Sequence, residues 1–195
     1  MTSRRAALFA ALALTIGAIA WVLFVGLPRW YGPRQAAAPS SAATAPSAPG
    51  RKIKARLFYV SENGQKLAGV ERDVPYGETT VDQAREIVNA QLAPAAEPLV
   101  SAVPPGTSLR ALFVTPTGQA YVNVSGEVAR AHPGGTLNEL LTVYTLVDAL
   151  TINLPAIATV QLLVDDKQVD TLAGHVDLRR PLAKNLDLIE QNPER

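Results

Sequence analysis

The residues of this chain that could do chemistry are few. They are two histidines, an aspartate cluster, a Gly-Gly pair and an Arg-Arg pair. His132 precedes Pro133-Gly134-Gly135, and His175 follows Gly174 and stands two residues before Asp177. Imidazole and carboxylate both ligate divalent metals, so His132, His175 and Asp177 are the set a metal would use. No His-x-x-x-His or similar ligand spacing is present, which favours histidines that hydrogen-bond turns. Asp165 and Asp166, with Asp170 near, invite calcium or acid–base chemistry. Adjacent strand residues point to opposite faces, however, and Asp is favoured in turns for its own backbone bonds. Gly134-Gly135 before a helix offers an anion cradle at the helix N-terminus. It lacks the surrounding pattern of a P-loop or dinucleotide fingerprint. Arg179-Arg180 could meet phosphate, and reads more simply as a solvated loop. No serine sits in a nucleophile elbow, and the chain has no cysteine, hence no thiolate chemistry or disulfide. The expectation is a non-enzyme without cofactor or metal. Its candidate ligand-binding residues are Gly134, Gly135, His175 and Asp177.

The elements that must position these residues can be read from periodicity. Ile53–Val60 alternates apolar and basic, as a strand with one wet face does. Ser61-Glu-Asn-Gly64 is a turn, and Gln65–Val74 a returning strand. Thr80-Val-Asp-Gln83 reads as a capping box for a helix to about Leu92, with Val81, Ala84, Ile87, Val88 and Leu92 on one stripe. Leu109–Thr115 and Gln119–Val124 form a second hairpin around Pro116-Thr-Gly118. Thr136-Leu-Asn-Glu139 caps a second helix, which ends by Leu154. Its expected buried stripe is Leu137, Leu140, Leu141, Tyr144, Val147 and Leu150. Ile157–Val164 is a β-branched strand; Asp165-Asp166 is a turn, and Lys167–Leu172 a last short strand. The fold class is therefore α+β: two tandem β-β-α layers with a final β-hairpin, each layer a small antiparallel sheet with a helix on one face.

The first 50 residues differ in kind. They hold Arg4, Arg5, Arg29 and Arg34 and no acidic residue, leaving 14 basic against 17 acidic residues, a net of −3, for 51–195. An acidic domain is a poor partner for nucleic acid, which needs a basic face. Ala6–Leu27 is a run of 22 uncharged residues. As a helix it would span about 33 Å, against a hydrocarbon core of about 30 Å. Trp21, Trp30 and Tyr31 suit the membrane interface. A cleaved signal peptide competes, but its apolar region runs to only ~7–15 residues and ends in small ones. The run here is longer and ends Val-Gly-Leu-Pro-Arg-Trp-Tyr, so the expectation is a retained transmembrane helix. Arg4 and Arg5 before it and Arg29 and Arg34 after it give a slight preference for a cytoplasmic N-terminus. Pro33–Gly50 is a Pro/Ala/Ser-rich disordered linker, with a reach of at most about 56 Å at ~3.1 Å per residue. The expected parts are a short N-terminal segment (1–5), the membrane helix (6–27), the linker (28–50), the α+β domain (51–185) and a tail (186–195).

Several segments of the domain resemble one family. They are Pro105-Gly106-Thr107, the strand Ala120-Tyr-Val-Asn-Val-Ser125, the strand Val160-Gln-Leu-Leu-Val-Asp165, and Leu172-Ala-Gly-His-Val-Asp177 followed by Pro181-Leu182. With the helix Asn138–Thr151 between them, their order and spacing over Lys54–Leu182 resemble the GerMN domain, a sporulation and spore-germination module of bacterial envelope proteins. The resemblance implies an extracytoplasmic, non-enzymatic domain attached by a lipid or a membrane helix. It also implies paired α/β units that pack side by side in ring-forming complexes. Many members are lipoproteins; without a cysteine, the anchor here is the helix. A role in sporulation does not follow from the domain name. The expected partners are the membrane, through the N-terminal helix, and either a second copy or another envelope protein. The expected place is the bacterial cytoplasmic membrane, single-pass, with the domain outside. The alternative function is a small-ligand or glycan-binding domain of the envelope.

Overall fold

The computed structural model describes residues 50–191, together with Trp21. The expected membrane helix and linker, over 6–27 and 28–50, otherwise fall outside the described residues but for Gly50. Among the described residues no helix is long and apolar enough to cross a membrane.

The domain opens with a hairpin, β1 (Lys52–Val60) against β2 (Leu67–Pro75), in register from Lys52↔Pro75 to Val60↔Leu67. Its turn holds Gly64 at φ 70°, the left-handed conformation that the Asn-Gly signal anticipates. Helix α1 (Thr80–Leu92) follows. Its N-cap is Thr79, one residue before the expected Thr80, and the Thr79 hydroxyl accepts from the Asp82 amide at 3.1 Å. Gln83 does not close a capping box. Its amide instead bridges Gly77 N and Pro75 O, tying the end of β2 to the helix. Ala84, Ile87 and Val88 are buried as the stripe requires, whereas Val81 and Leu92 are only partly so.

The second sheet is larger than expected and differently wired. β3 (Leu109–Val114) and β4 (Gln119–Val124) are the antiparallel hairpin. A short unanticipated helix α2 (Glu127–Arg130) precedes α3 (Thr136–Asn153). The chain then returns as β5 (Thr159–Val164), which pairs parallel to β4. The final strands are therefore not a separate hairpin, and the second layer is not wholly antiparallel. A helix of 18 residues carries the chain back along its own length, which is what a parallel crossover needs. β5 is buried on both faces, as its almost unbroken apolar run demands. β6 (Lys167–Gln168) is two residues long, not the six expected, and β7 (Leu182–Ala183) adds to the other end of β5. A 3₁₀ turn, Leu186–Leu188, follows.

α3 is the centre of the domain, packing against β1, α1, β5 and β7. Its buried surface is wider than one stripe: Leu141, Val143, Leu146, Val147, Ala149 and Leu150 are all buried, while Leu137 is exposed. A helix apolar on nearly every face belongs inside a core. Polar side chains on the helices also serve the sheet. Among the described residues the outer edge of β1 has no neighbouring strand beyond the isolated Val60–Val100 bridge. Phe58 N donates to Gln91 Oε1 and Phe58 O accepts from Gln91 Nε2, each at 2.8 Å. Asn153 does the same for Arg56, at 2.7 and 2.8 Å. Two amide side chains thus stand in for a strand.

Asp148 is a buried carboxyl that is only half satisfied. It is fully buried, with Oδ1 accepting from Asn185 N at 2.9 Å. Its Oδ2 has no partner among the described residues. Burial raises its carboxyl to about 6, with the Asn185 amide and Lys184 opposing the rise.

Two measurements check this reading. Gln91→Ala orphans both backbone groups of Phe58, and should lower the unfolding free energy by about 2–4 kcal/mol in a denaturant titration. For Asp148 the folded carboxyl titrates near 6 and the unfolded one near 3.8, so the folded state binds the proton more tightly. Stability should fall as pH rises from 4 to 6. Two pK units correspond to about 3 kcal/mol. The parent chain should lose about that much more than Asp148→Asn between pH 4 and 7.5.

Candidate functional site

Glu139 occupies the position where the sequence places a capping residue, one turn into α3. The N-cap of that helix is Gly135, and no side chain caps it. Glu139 is 0% exposed and turns toward the loop after β6. Its Oε1 accepts from Leu172 N at 2.7 Å, and its Oε2 from His175 N at 2.8 Å. The His175 ring approaches Oε2 through Nδ1 at 3.2 Å. Burial alone would raise the Glu139 carboxyl. The amides of Ala173, His175, Leu172 and Val176 outweigh it and hold the group below its ordinary value. This is a carboxylate ringed by backbone N–H groups. It fixes the Leu172–Val176 loop, one of the segments that carried the family resemblance, onto the helix.

Each of the four residues expected to bind a ligand is engaged by its own turn or by Glu139. His175 is anchored through its amide, leaving its side chain 39% exposed. Asp177 is turned to Arg179, whose Nε and Nη2 donate to it at 2.9 and 2.8 Å. The Arg179 guanidinium holds the Asp177 carboxyl well below the usual carboxylate range. Gly134 donates its N–H to His132 Nδ1 at 2.9 Å and accepts from Asn138 at its carbonyl. Gly134 and Gly135 have φ of 80° and 88°, so glycine serves the turn into α3. The second His132 nitrogen meets Thr142 Oγ1 at 3.2 Å. Among the described residues no three His, Asp or Glu side chains are grouped to hold a metal ion.

The aspartate pair is a structural knot. Asp165 and Asp166 have φ of 48° and 66°, the two left-handed residues of a tight hairpin turn between β5 and β6. Arg110 of β3 reaches both, at 3.0 and 3.3 Å. Asp165 also accepts from Gly126 N at 3.0 Å, and Asp166 N donates to Asn123 Oδ1 at 3.0 Å. Glu127, bonded to the Ser125 hydroxyl and to Arg130, is held down to about 2. These charges join three strands and α2 at one end of the sheet.

A groove of about 1010 Å³ lies elsewhere. It runs between Gly69 and Glu71 of β2, the last turn of α3 at Ile152, and Lys184, Ile189 and Glu190 near the end of the domain. None of Gly134, Gly135, His175 and Asp177 lines it. A Cβ at Gly69 would meet the flexible end of the Arg56 side chain, which lies across it. Sequence reading missed both Glu139 and this groove. The one available signal for Glu139 was a carboxylate on a helix with few polar residues, and the cap explained it away.

Glu139→Gln places an N–H₂ against backbone donors. It should speed hydrogen exchange of the Leu172–Val176 amides by about tenfold or more while leaving the β5 amides unchanged.

The comparisons with known proteins follow the same outline. No curated protein sequence matches the chain. Among solved structures, the tandem GerMN domains of the sporulation protein GerM from Bacillus subtilis are 16% identical, with a TM-score of 0.50 over 70% of this chain and 46% of that one. The first GerMN domain of the same protein is 14% identical, with a TM-score of 0.46 over 68% of this chain and 96% of that one. A protein from Clostridium perfringens described as a lipoprotein is 21% identical, with a TM-score of 0.49 over 72% of this chain and 92% of that one. The model of the family "Germane: Sporulation and spore germination" matches residues 56–170. That stretch is more than half of the chain and holds β1 from Arg56 onward, β2 to β5 and α1 to α3, and on this match the protein belongs to the Germane family.

Proposed function

We propose that this chain is a non-catalytic interaction module of the bacterial envelope. In this reading the 6–27 helix holds it in the cytoplasmic membrane, and the 28–50 linker gives the domain its reach outside. The observation that carries the proposal is the outer edge of β2. Strand alternation turns the backbone groups of Leu67, Gly69, Glu71 and Asp73 away from β1. Leu67 O accepts from Glu190 N at 2.8 Å, while Gly69, Glu71 and Asp73 meet no backbone partner among the described residues. An unpaired strand beside a groove is a template for an extended segment of another chain.

Other features support the same reading. The carboxylates that could have formed a reactive cluster are already engaged, Glu139 by amides, Asp165 and Asp166 by Arg110, and Asp177 by Arg179. The groove is lined by both Arg56 and Lys184 and Glu71 and Glu190, which suits a polar backbone with mixed side chains better than an apolar small molecule.

Photo-crosslinking in native membranes tests this. Probes at Glu71 and Lys184 should give one discrete adduct, either with a second copy or with one envelope protein. A probe at Phe113, which is 64% exposed on the far sheet, should give none. A folded, exported protein that yields no adduct from either groove position would sink the proposal.

A further inference from the structure

One wall of the groove is the segment after β5, and it is lightly held. Ala183, Lys184, Leu186 and Ile189 all line the groove. At one end of this segment β7 pairs with β5 through two residues. At the other, Ile189 is buried and Glu190 N bonds to Leu67 O. Between these ends Lys184, Leu186 and Asp187 are exposed, and the 3₁₀ turn bonds to itself. Among the described residues a single hydrogen bond ties the backbone of 184–188 to the rest of the domain, from Asn185 N to Asp148 Oδ1 at 2.9 Å. That pin is a fully buried carboxyl whose other oxygen has no partner among the described residues. Thr145 Oγ1, three residues back on the same face of α3, has none either. Buried oxygens without a partner are few in native cores, and here two of them belong to the helix turn that pins the wall.

A neutral carboxyl carries a proton and is buried at modest cost. A carboxylate at this position leaves one oxygen charged and without a donor, which is far more costly. The bond from Asn185 N is stronger to a carboxylate, but it reaches one oxygen only. Lifting Asn185 away loses that bond and admits water to both oxygens, so ionisation and release favour each other. The raised Asp148 carboxyl, near 6, shows that burial outweighs the Asn185 amide and the Lys184 ammonium. The Tyr144 hydroxyl, one turn back on α3, is raised by burial and by Asp148. β5 and β7, which pack on the helix, carry no titratable side chain, and none of β1 or α1 contributes to the Asp148 shift.

We propose that Lys184–Leu188 is a proton-controlled flap on the groove, pinned while Asp148 is neutral and released as Asp148 ionises. The flap itself rests on the contact between Asp148 and Asn185. Its regulation of docking, by keeping or removing a wall of the groove, rests on the reading of the β2 edge given above.

Native-state hydrogen exchange on the full-length chain, without any partner, tests the flap. The Asn185 amide should exchange through a local opening that barely depends on denaturant, whereas the β5 amides should follow the steep dependence of global unfolding. The folded carboxyl titrates near 6 when pinned and near 3.8 when released into water. With the ordinary base catalysis of exchange divided out, the Asn185 opening constant should therefore rise about 50-fold from pH 4 to 7.5, levelling off above pH 6. In Asp148→Asn, a neutral side chain that keeps an acceptor for Asn185, the constant should not change with pH. An Asn185 amide that opens only together with the β5 amides would overturn the flap, as would a local opening with the same constant at both pH values. Both of these outcomes are read on the parent chain, so neither depends on the variant folding. Regulation is tested by the Glu71 crosslink, whose yield should be lower at pH 7.5 than at pH 5 in the parent and equal in Asp148→Asn. Equal yields in the parent would overturn the regulation and leave the flap. Because exchange is read without a partner, failure of the flap leaves the crosslinking outcome at Glu71 and Lys184 standing on its own.

Discussion

A buried backbone group must find a hydrogen-bond partner, and in this domain α3 supplies several of those partners. Three of its polar side chains each take backbone groups that no sheet ladder satisfies. Near its start Glu139 takes the amides of Leu172 and His175. Further along, Asp148 takes the amide of Asn185. At its end Asn153 takes both backbone groups of Arg56. The same helix buries Leu141, Leu146 and Leu150 in the core. It is thus both the apolar centre of the domain and the fixture for the long loop and the unpaired edge of β1.

The three attachments differ in energetic character. Glu139 is a charge whose desolvation is offset by the amide groups that surround it. Asn153 is neutral and takes the place of a strand neighbour at Arg56. Asp148 is only half satisfied, and the proton it retains near pH 6 is the least expensive way to keep it buried. Stability is therefore distributed unevenly with pH along one helix, with Glu139 favouring its charged form and Asp148 its neutral one.

The two edges of the small sheet are treated differently, and function is inferred from that difference. The β1 edge is closed by amide side chains and by the Val60–Val100 bridge. Among the described residues the β2 edge is closed only at Leu67. A uniformly closed sheet would have left the domain without an obvious contact surface. The groove beside β2 contains no concentration of one charge, consistent with recognition through backbone groups and shape.

The longer elements, β1 to β5, α1 and α3, were legible in type and order from sequence because they follow from local chemistry, whereas α2 and β7 were not. Asn63-Gly64 fixed a hairpin, and the stripe Ala84, Ile87 and Val88 fixed a helix face. The resemblance over Lys54–Leu182 identified the family that the 56–170 match bears out. What sequence could not supply was long-range pairing. The parallel union of β4 with β5 depends on where α3 sets the chain down, and no local signal encodes that. Glu139 looked like a cap because position three of a helix is where caps occur, and its real partners lie 33 and 36 residues away. Gly134, Gly135, His175 and Asp177 are close in type to a binding set, yet each bonds within its own turn or to Glu139. Side-chain chemistry and period are properties of the chain itself. Which buried donor meets which acceptor, and which strand edge is left over, is decided only when the core closes.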